Sequence, residues 1–407
     1  CSGCQLSNMT YEQQLEWKQK DTEKLLGSFG KVSEIIGADD PYNYRNKVQA
    51  VFRSDRNGRI ISGVYQSSRN GIVGIDSCML DDKRADEIIV GIRDLLKSFK
   101  SHPYDEGTER GFLRHVLVRV GKNTGEILVT LVGGNSMFPK KHDFVKALVK
   151  RFPDITTVTF SVNRTPEMLL LGDNNEVLYG EGYITDILCG KRFRISPHSF
   201  YQINHAQTEK LYDYAIKAAK LTKKDVLLDA YSGIGTIGII ASDYVKQVQG
   251  IEYNASAVRD AVKNCHENGL TRNIAFNRGD AGEFLEKKAK LGTHYDAVIL
   301  DPARTGADRK FLNSLLKIAP ERIVYISCNP ATQARDLKTL TKKYTVTDIQ
   351  PFDMFPHTRH VECVVLLTKH LIYWGKKAWN KGPLRFFEFE IRLRNMLGKE
   401  DKILMFL

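Results

Sequence analysis

Cys328 stands where a cysteine could act as a nucleophile, directly after an apolar run and directly before an Asn-Pro turn. Short apolar runs bounded by turn signals are typical of buried parallel strands, whose carboxyl ends carry the chemistry of α/β folds. A second such run, residues 297–300, ends on Asp301 and is followed closely by Arg304. A free cysteine is more often a small buried hydrophobe than a nucleophile, so the position of Cys328 alone leaves both interpretations open.

Four successive predicted strands close on an acidic side chain, and a glycine-rich turn follows the first of them. In chain order these acids are Asp229, Glu252, Asp280 and Asp301. Gly233, Gly235 and Gly238 have the G-x-G-x-x-G spacing of dinucleotide sites, which keeps a nicotinamide cofactor open as an alternative. Two acids favour S-adenosylmethionine instead: Asp229 can meet its cationic amino-acid end, and Asp280 can accept a hydrogen bond from an adenine amine. Glu252 suits ribose hydroxyls with either ligand.

The elements that must position these residues alternate between strand and helix from residue 226 onward. This alternation predicts a parallel sheet with helices on both faces. We therefore predict an α/β protein in which a doubly wound, Rossmann-like domain follows a smaller α/β region. Asn57 and Gly58 give a turn signal for a β-hairpin in the first part of the chain. The predicted divisions are 1–80 (helix and hairpin), 81–190 (central α/β region), 191–369 (doubly wound domain) and 370–407 (an extension without an assigned role).

Positive charge is the main compositional feature of the 407 residues, since 60 Lys and Arg exceed 48 Asp and Glu and give a formal charge of +12. Such a balance favours a polyanionic partner, with nucleic acid as the first candidate. Basic and aromatic side chains interleave in the first part of the chain, which suits an RNA-binding sheet face and equally suits solvated hairpin edges. No apolar run reaches the ~20 residues that a bilayer span requires, so we expect a cytoplasmic protein without a membrane partner. The interleaved residues are Arg45, Lys47, Arg53, Arg56, Arg59 and Arg69 with Tyr42, Tyr44, Phe52 and Tyr65.

Cys1 and Cys4 form a C-x-x-C spacing at the amino end of the sequence. This spacing can bind zinc or an iron–sulfur cluster, or can form a redox pair. A redox pair normally follows a strand, and none is predicted before Cys1. A metal site needs further ligands, and Cys78 is the nearest candidate, which leaves a four-cysteine site one ligand short. The spacing alone is therefore about equally consistent with a metal-binding site and with cysteines that bind no metal.

Three stretches of the second half resemble the signatures of one enzyme family. They read DPARTG at 301–306, IVYISCNPAT at 323–332 and FDMFPHTRHVE at 352–362. In this order they are similar to the RNA (uracil-5-)methyltransferases, S-adenosylmethionine-dependent enzymes that modify ribosomal or transfer RNA. The resemblance covers residues 1–369 and is strongest from residue 193 onward. It implies RNA as the partner and RNA binding as the role of residues 81–190.

The resemblance also implies roles for individual residues. Cys328 would add to carbon 6 of uracil, and Glu362 would later remove the proton from carbon 5. For Arg304 we infer a role from its chemistry and not from the resemblance: its guanidinium could bind a phosphate or a uracil oxygen of the substrate. The target base must leave its stack to reach such a pocket. The implied S-adenosylmethionine contacts are Gln202, Tyr231, Glu252 and Asp301, with Asp280 at the adenine and Thr236 as a further contact.

Cluster-bearing members of this family hold a [4Fe–4S] cluster through four cysteines. The resemblance implies that Cys1, Cys4 and Cys78 match the second, third and fourth of these ligands. The first ligand would lie six residues upstream, so we expect it outside this sequence and expect the cluster to be incomplete here. We expect the cluster to have a structural role. Cys189, Cys265 and Cys363 match no motif and are predicted to be packed thiols.

Cluster-bearing members mostly modify large-subunit ribosomal RNA, so we expect 23S ribosomal RNA as the substrate in preference to transfer RNA. We also expect a monomer without an obligate protein partner. Two alternatives from other classes stay open on the sequence. One is a non-catalytic RNA-binding protein on the same fold, which would have no need for both Cys328 and Glu362. The other is a nicotinamide-dependent oxidoreductase, which would leave both residues and the basic first half unexplained.

Overall fold

The structure, a computed structural model, describes residues 1, 3–66, 71–165, 171–172 and 175–370. Arg69 and residues 371–407 of the predicted extension lie outside the described residues. The first elements are α1 (Tyr11–Leu26), β1 (Lys47–Ser54), β2 (Ile60–Tyr65), β3 (Ile72–Gly74), α2 (Lys83–Ser98), β4 (Leu113–Val120), β5 (Ile127–Gly133), α3 (Lys141–Arg151), β6 (Ile155–Val162), β7 (Asn175–Tyr179), β8 (Ile184–Leu188) and β9 (Lys191–Ile195). The remaining elements are α4 (His205–Ala218), β10 (Val226–Ala230), α5 (Thr236–Ala241), β11 (Gln247–Glu252), α6 (Ala255–Glu267), β12 (Ile274–Arg278), α7 (Ala281–Lys290), β13 (Ala297–Leu300), α8 (Arg309–Ile318), β14 (Arg322–Ser327), α9 (Pro330–Leu340), β15 (Tyr344–Phe352) and β16 (Glu362–Lys369).

Seven strands from the first half form one sheet in the order β3-β2-β1-β4-β5-β6-β7. The predicted hairpin is confirmed: β1 and β2 pair antiparallel, and Gly58 in their turn has a φ of +74°, which a side chain would disfavour. Only β5 and β6 pair in parallel within this sheet. Apolar residues of β1, β4 and β5 share a core with α2 and α3. Residues 47–65 and 113–162, which fall on both sides of the predicted division at residue 80, therefore share one sheet and one core.

The second sheet has the order β12-β11-β10-β13-β14-β16-β15. Its first five strands are parallel, β16 is antiparallel to β14, and β15 is antiparallel to β16. Two apolar cores flank it, with α4 and α5 contributing to one and α7, α8 and α9 to the other. The predicted doubly wound α/β domain is confirmed. The chain reverses its direction of strand addition between β10 and β13, which is where such sheets bind ligands.

Helix α1 packs against α9 and β15 of the second sheet. Thr10 accepts a hydrogen bond from the Gln13 N–H and forms a capping box with it, and Gly27 ends the helix. Gln14, Lys18, Thr22 and Leu26 are its buried residues, so three of the four side chains on the covered stripe are polar. Among the described helices, none is long and apolar enough to cross a membrane.

Candidate active site

Cys328 and Glu362 are brought side by side by the pairing of β14 with β16. Ser327, the last residue of β14, pairs with Cys363, the second residue of β16. Because the two strands are antiparallel, the residue after Ser327 and the residue before Cys363 leave the ladder at the same end. Cys328 is partly exposed there, whereas Glu362 is only 2% exposed. A partly exposed thiol therefore lies beside a buried carboxyl group.

The electrostatics of this pair are dominated by lost hydration and by neighbouring acids. Burial and the Asp301 carboxylate raise the pKa of Glu362 well above its usual range, and the Arg304 guanidinium opposes the rise. Burial, Glu362 and Asp301 raise the pKa of the Cys328 thiol to about 11. Burial also raises the pKa of Asp301. A buried carboxyl group with a raised pKa beside a cysteine is a candidate acid–base and nucleophile pair.

The loop after β13 is joined to the loop after β14 through the backbone of Arg304. The Asn329 side-chain amide donates to the Arg304 carbonyl at 3.0 Å, and the Thr332 hydroxyl donates to it at 3.1 Å. Asn329 also caps α9, and Pro330 begins that helix. The guanidinium of Arg304 contributes positive charge to both Cys328 and Glu362. Arg304 is thus placed at the rim of the pair, where a substrate oxygen or phosphate can reach an exposed cation.

Gln333 is a residue that the sequence reasoning missed. Its fully buried side-chain amide donates to the Tyr325 carbonyl at 2.9 Å and to the Cys363 carbonyl at 3.2 Å. It therefore links β14, which precedes the cysteine, to β16, which begins with the carboxyl group. The only sequence signal is its place in the first turns of a helix that opens on Asn-Pro, and that signal does not distinguish it from a solvated glutamine.

Asp229 and Glu252 each accept hydrogen bonds from the backbone of the glycine-rich loop. Asp229 is buried, and its Oδ2 accepts the Gly238 N–H at 2.8 Å. Burial raises the pKa of Asp229 to about 7, against the opposing Gly238 hydrogen bond. Glu252 accepts the N–H groups of Gly233 at 3.0 Å and of Asn254 at 2.7 Å. Both acids thus fix the backbone of the turn between β10 and α5. A loop that binds a ligand needs such a fixed backbone.

Three buried polar atoms near the end of β10 lack a hydrogen-bond partner among the described residues. They are Asp229 Oδ1, the Tyr231 hydroxyl and the Ser232 hydroxyl. Tyr231 has a φ of +62°, a conformation that non-glycine residues rarely adopt, and its ring lies 5.3 Å from that of Phe311. Buried polar atoms are normally hydrogen-bonded, so this group fits a polar ligand bound at the switch point of the sheet.

The other predicted cofactor residues occupy the same end of the sheet or the segment before α4. Asp280 caps α7 and accepts the Glu283 N–H at 2.9 Å. Thr236 begins α5, and its hydroxyl lies 3.5 Å from the hydroxyl of Tyr212. Tyr212 was not predicted: it is fully buried on α4, and burial together with Asp301, Asp229 and Glu362 raises its pKa. Gln202 lies between β9 and α4, where its backbone carbonyl accepts the Asn46 side-chain amide at 3.0 Å.

Comparison with known proteins adds independent findings. Residues 124–370 match the family model described as tRNA (uracil-5-)-methyltransferase. An uncharacterized RNA methyltransferase of Halalkalibacterium halodurans is 39% identical over 90% of this chain and 81% of its own length. A similarly named protein of Staphylococcus aureus is 38% identical over 90% of this chain and 82% of its own length. The crystal structure of Pyrococcus abyssi tRNA (uracil-54, C5)-methyltransferase with S-adenosyl-L-homocysteine has a TM-score of 0.75 and 29% identity, over 90% of this chain and 85% of that one.

The chain belongs to the RNA (uracil-5-)methyltransferase family. The family resemblance drawn from the three signatures is thereby confirmed, as is the prediction of an S-adenosylmethionine-dependent RNA methyltransferase. The nicotinamide interpretation of the glycine-rich turn is set aside by the same findings. The buried polar atoms near the end of β10 that lack a partner among the described residues fit S-adenosylmethionine, the methyl donor of this family.

In this RNA (uracil-5-)methyltransferase, the cysteines fall into two groups. Cys4 and Cys78 lie near the same two charged residues, because the charges of Arg45 and Asp81 act on both thiols. Both cysteines are partly buried. Burial raises the pKa of each thiol. Cys1 is exposed, and within the described ranges no three His, Cys, Asp or Glu side chains are arranged to hold a metal ion. Cys265 and Cys363 are buried and Cys189 is partly buried, as predicted for packed thiols.

The basic residues of the first sheet are not one exposed stripe. The Arg53 guanidinium lies 5.7 Å from the ring centroid of Tyr65, whose side chain is 50% exposed. Burial and the positive charge of Arg119 together lower the pKa of Lys47 to about 8. Arg45 is only partly exposed and lies near the cysteine pair. Arg53 and Tyr65 therefore form one pair in this set whose placement fits contact with a nucleic acid base or phosphate, and Arg56 and Arg59 are exposed as well.

Proposed function

We propose that this protein methylates carbon 5 of a uridine in RNA through a covalent Cys328–uracil intermediate. The observation that supports the proposal is the juxtaposition of Cys328 with the buried Glu362 at the shared end of β14 and β16. A strand-end thiol and an unpaired buried carboxyl group have no evident packing role together. They match the nucleophile and base that C5 methylation of uracil needs.

The steps follow from the reactivity of uracil. The Cys328 thiol loses its proton to water, its sulfur forms a bond to carbon 6, and the electron pair of the carbon 5–carbon 6 double bond moves to give an enolate. Bound S-adenosylmethionine supplies an electrophilic methyl group. Carbon 5 takes that methyl group, and the bond from methyl to sulfur breaks. Glu362 then accepts the proton of carbon 5, and elimination of the Cys328 thiolate restores the double bond.

The residues around the switch point would bind and orient the methyl donor. Tyr231 and Ser232 offer hydroxyls that have no hydrogen-bond partner in the described part of the chain, and Asp229 offers one carboxylate oxygen to a cationic group. Glu252 stands at the end of β11, where a carboxylate suits ribose hydroxyls, and Asp280 follows β12 on the adenine side. Arg304 would contact a phosphate or a uracil oxygen, since its guanidinium is exposed beside Cys328.

For the substrate we propose 23S ribosomal RNA, on the basis of the cysteine motif. Transfer RNA is a second candidate, since the Pyrococcus abyssi structure of similar fold is named for uracil 54 of transfer RNA. The test is a denaturing gel after incubation with S-adenosylmethionine and RNA that contains 5-fluorouridine. Because fluorine cannot leave as a proton does, the adduct is trapped as a slow band. We expect the band with ribosomal RNA and its loss in Cys328→Ala; a band with transfer RNA alone would reverse the substrate assignment. Absence of the band with both RNAs would contradict the covalent mechanism.

We also propose that Cys1, Cys4 and Cys78 contribute ligands to a [4Fe–4S] cluster. The support is that the charges of Arg45 and Asp81 act on both Cys4 and Cys78, although the two cysteines are far apart in the sequence. When bound, a cluster would tie these segments together through its thiolate ligands. Iron content and visible absorbance after anaerobic purification test the proposal. Cys78→Ser should lower both, and Cys265→Ser, a buried thiol outside the motif, should leave them unchanged.

A further inference from the structure

The loop that leads into Glu362 is anchored by helix α1 from the opposite end of the sequence. This loop, residues 353–361, connects β15 to β16. The Lys18 ammonium lies 2.6 Å from Asp353 Oδ1, and both side chains are 0% exposed. The same ammonium donates a hydrogen bond to the Phe355 carbonyl at 3.1 Å. One buried cation therefore holds both a side chain and the backbone of the loop.

A second anchor lies one helical turn earlier on the same face of α1. The Gln14 side chain accepts the His357 N–H at 2.8 Å, and its amide nitrogen lies 3.2 Å from His357 Nδ1. The Leu6 N–H donates to the His357 carbonyl at 3.0 Å. The loop is thus held at three successive points before it enters β16. The spacing of Gln14 and Lys18 by four residues allows both to face it from one stripe of the helix.

Stability alone is a weak explanation for the Lys18–Asp353 pair. Removing two charges from water is unfavourable, and well-packed apolar residues in place of a buried ion pair are often as stable or more stable. What the pair supplies is a fixed geometry, because a charge-assisted hydrogen bond is short and directional. The loop therefore keeps one arrangement rather than several of similar energy.

Glu362 needs such support because one oxygen of its carboxyl group is left open. Glu362 Oε1 is buried without a hydrogen-bond partner among the described residues. Its position is therefore set by the backbone on either side of it. Gln333 fixes the carbonyl of Cys363 on one side, and the loop anchored by Lys18 fixes the other. A base that is free to accept a proton must leave its oxygens open, so backbone anchoring is a suitable way to place it.

We propose that Lys18 is a positioning residue for the base, which holds the 353–361 loop so that the Glu362 carboxylate reaches the proton on carbon 5. This inference rests on the proposed function. It predicts that loss of Lys18 slows release of the methylated RNA more than it slows methyl transfer. A merely structural role would lower the amount of active enzyme and slow both steps equally.

The test compares Lys18→Met with the matched control Arg322→Met in single-turnover reactions with uridine RNA and labelled S-adenosylmethionine. Arg322 forms a 2.8 Å ion pair with Asp225 and donates to the Ala219 carbonyl at 3.0 Å, at the other end of β14. Lys18→Met should slow decay of the methylated adduct about tenfold, the effect of a modest misplacement of a base, while transfer changes less than about twofold. Arg322→Met should leave the ratio of the two rates unchanged. S-adenosylhomocysteine affinity should be the same in both variants.

A double variant, Lys18→Met with Asp353→Leu, keeps the test decisive if the single variant folds poorly. Replacing both charges removes the unpaired buried carboxylate and restores stability, yet it leaves the loop without its anchor. We expect adduct decay to stay slow in this variant. Wild-type decay in the double variant, or equal slowing of transfer and decay in both variants, would overturn the proposal.

Glu362→Gln, run in parallel, separates failure of this inference from failure of the proposed function. Accumulation of adduct in Glu362→Gln with wild-type decay in Lys18→Met would overturn the positioning role and keep the base. No adduct in Glu362→Gln would remove the base itself, and the positioning role with it. The geometry predicts that the adduct accumulates in Glu362→Gln, in Lys18→Met and in the double variant. Its decay should be slowest in Glu362→Gln.

Discussion

At the ends of β10 and β11, the acidic residues hold the backbone of nearby loops, whereas the loop before Glu362, the proposed base, is held by helix α1 from a distant part of the chain. Glu252 and Asp229 bind N–H groups of Gly233 and Gly238 in the first loop of the same domain. Lys18, by contrast, reaches Asp353 across 335 positions of sequence. The proposed cofactor side is therefore supported from within its own domain, whereas the loop before the proposed base contacts α1.

This difference follows from what each side must do. A cofactor site binds a ligand in its ground state, so loops that are shaped in advance by their own acids are sufficient. A base must reach one atom within a fraction of an ångström, and its oxygens must stay open. The second requirement favours rigid support from outside. Four variants test the contrast, in order of decreasing effect.

Cys328→Ala should abolish methylation, with a loss of at least about 1,000-fold, because no other group can activate carbon 5. The measurement is methyl incorporation into RNA together with calorimetric titration of S-adenosylhomocysteine. Binding of S-adenosylhomocysteine should be retained, since the cofactor side is supported independently. Cys265→Ala, at a buried thiol outside the site, is the control. Normal turnover in Cys328→Ala would refute the covalent mechanism.

Glu362→Gln should slow adduct release by about 100- to 1,000-fold, the usual contribution of a general base. In the wild type, the release rate should fall as the pH drops through the raised pKa of Glu362, since only the carboxylate accepts the proton. The fall should begin at a higher pH than for an ordinary carboxyl group. The measurement is adduct decay against pH. In Glu362→Gln this dependence should disappear, and its persistence would assign the base to another group.

Asp229→Asn should weaken S-adenosylhomocysteine binding by about tenfold or more, because a charge-assisted contact is lost. The same change should stabilise the unliganded protein above pH 7. The pKa of Asp229 is raised in the folded state to about 7, so its contribution to stability is full below its unfolded pKa and is lost as the pH rises through the folded pKa. Thermal unfolding at pH 5 and pH 8 tests the sign. A stability difference confined to pH 5 would contradict it.

Gln333→Leu should have the smallest effect, a loss of about 1–3 kcal/mol in the free energy of unfolding, because two buried carbonyls lose their donor. Denaturant titration measures this loss. Adduct decay should slow by several-fold while S-adenosylhomocysteine affinity stays constant, which would sharpen the contrast between the two sides. Thr130→Val, which removes a buried hydroxyl contact of 2.8 Å with Thr159 in the first sheet, is the control.

Much of the fold could be predicted from the sequence because the elements have strong local signals. The apolar runs that become β13 and β14 are bounded by turn residues, and the Asn57-Gly58 turn specifies its hairpin. Helix α1 was predicted as well, but its buried face was not. The buried face of α1 consists of Gln14, Lys18, Thr22 and Leu26. The apolar pattern of the sequence instead suggests a buried face with Leu15, Leu25 and Leu26. Gln14 and Lys18 are buried because partners in the 353–361 loop satisfy them, and the Thr22 hydroxyl donates to the Lys18 carbonyl at 2.8 Å.

The sequence by itself determined the identities of the chemical groups: a cysteine and a glutamate at strand ends, and acids around a glycine-rich turn. Local propensity and turn chemistry act over a few residues, and these features lie within that range. Only the tertiary structure decided that β16 runs antiparallel beside β14, which places Glu362 next to Cys328. It also decided that Lys18, near the other end of the described chain, pairs with Asp353 in the loop that leads into Glu362. Such pairings depend on which buried polar groups find partners once the chain has folded, and no local pattern encodes that choice.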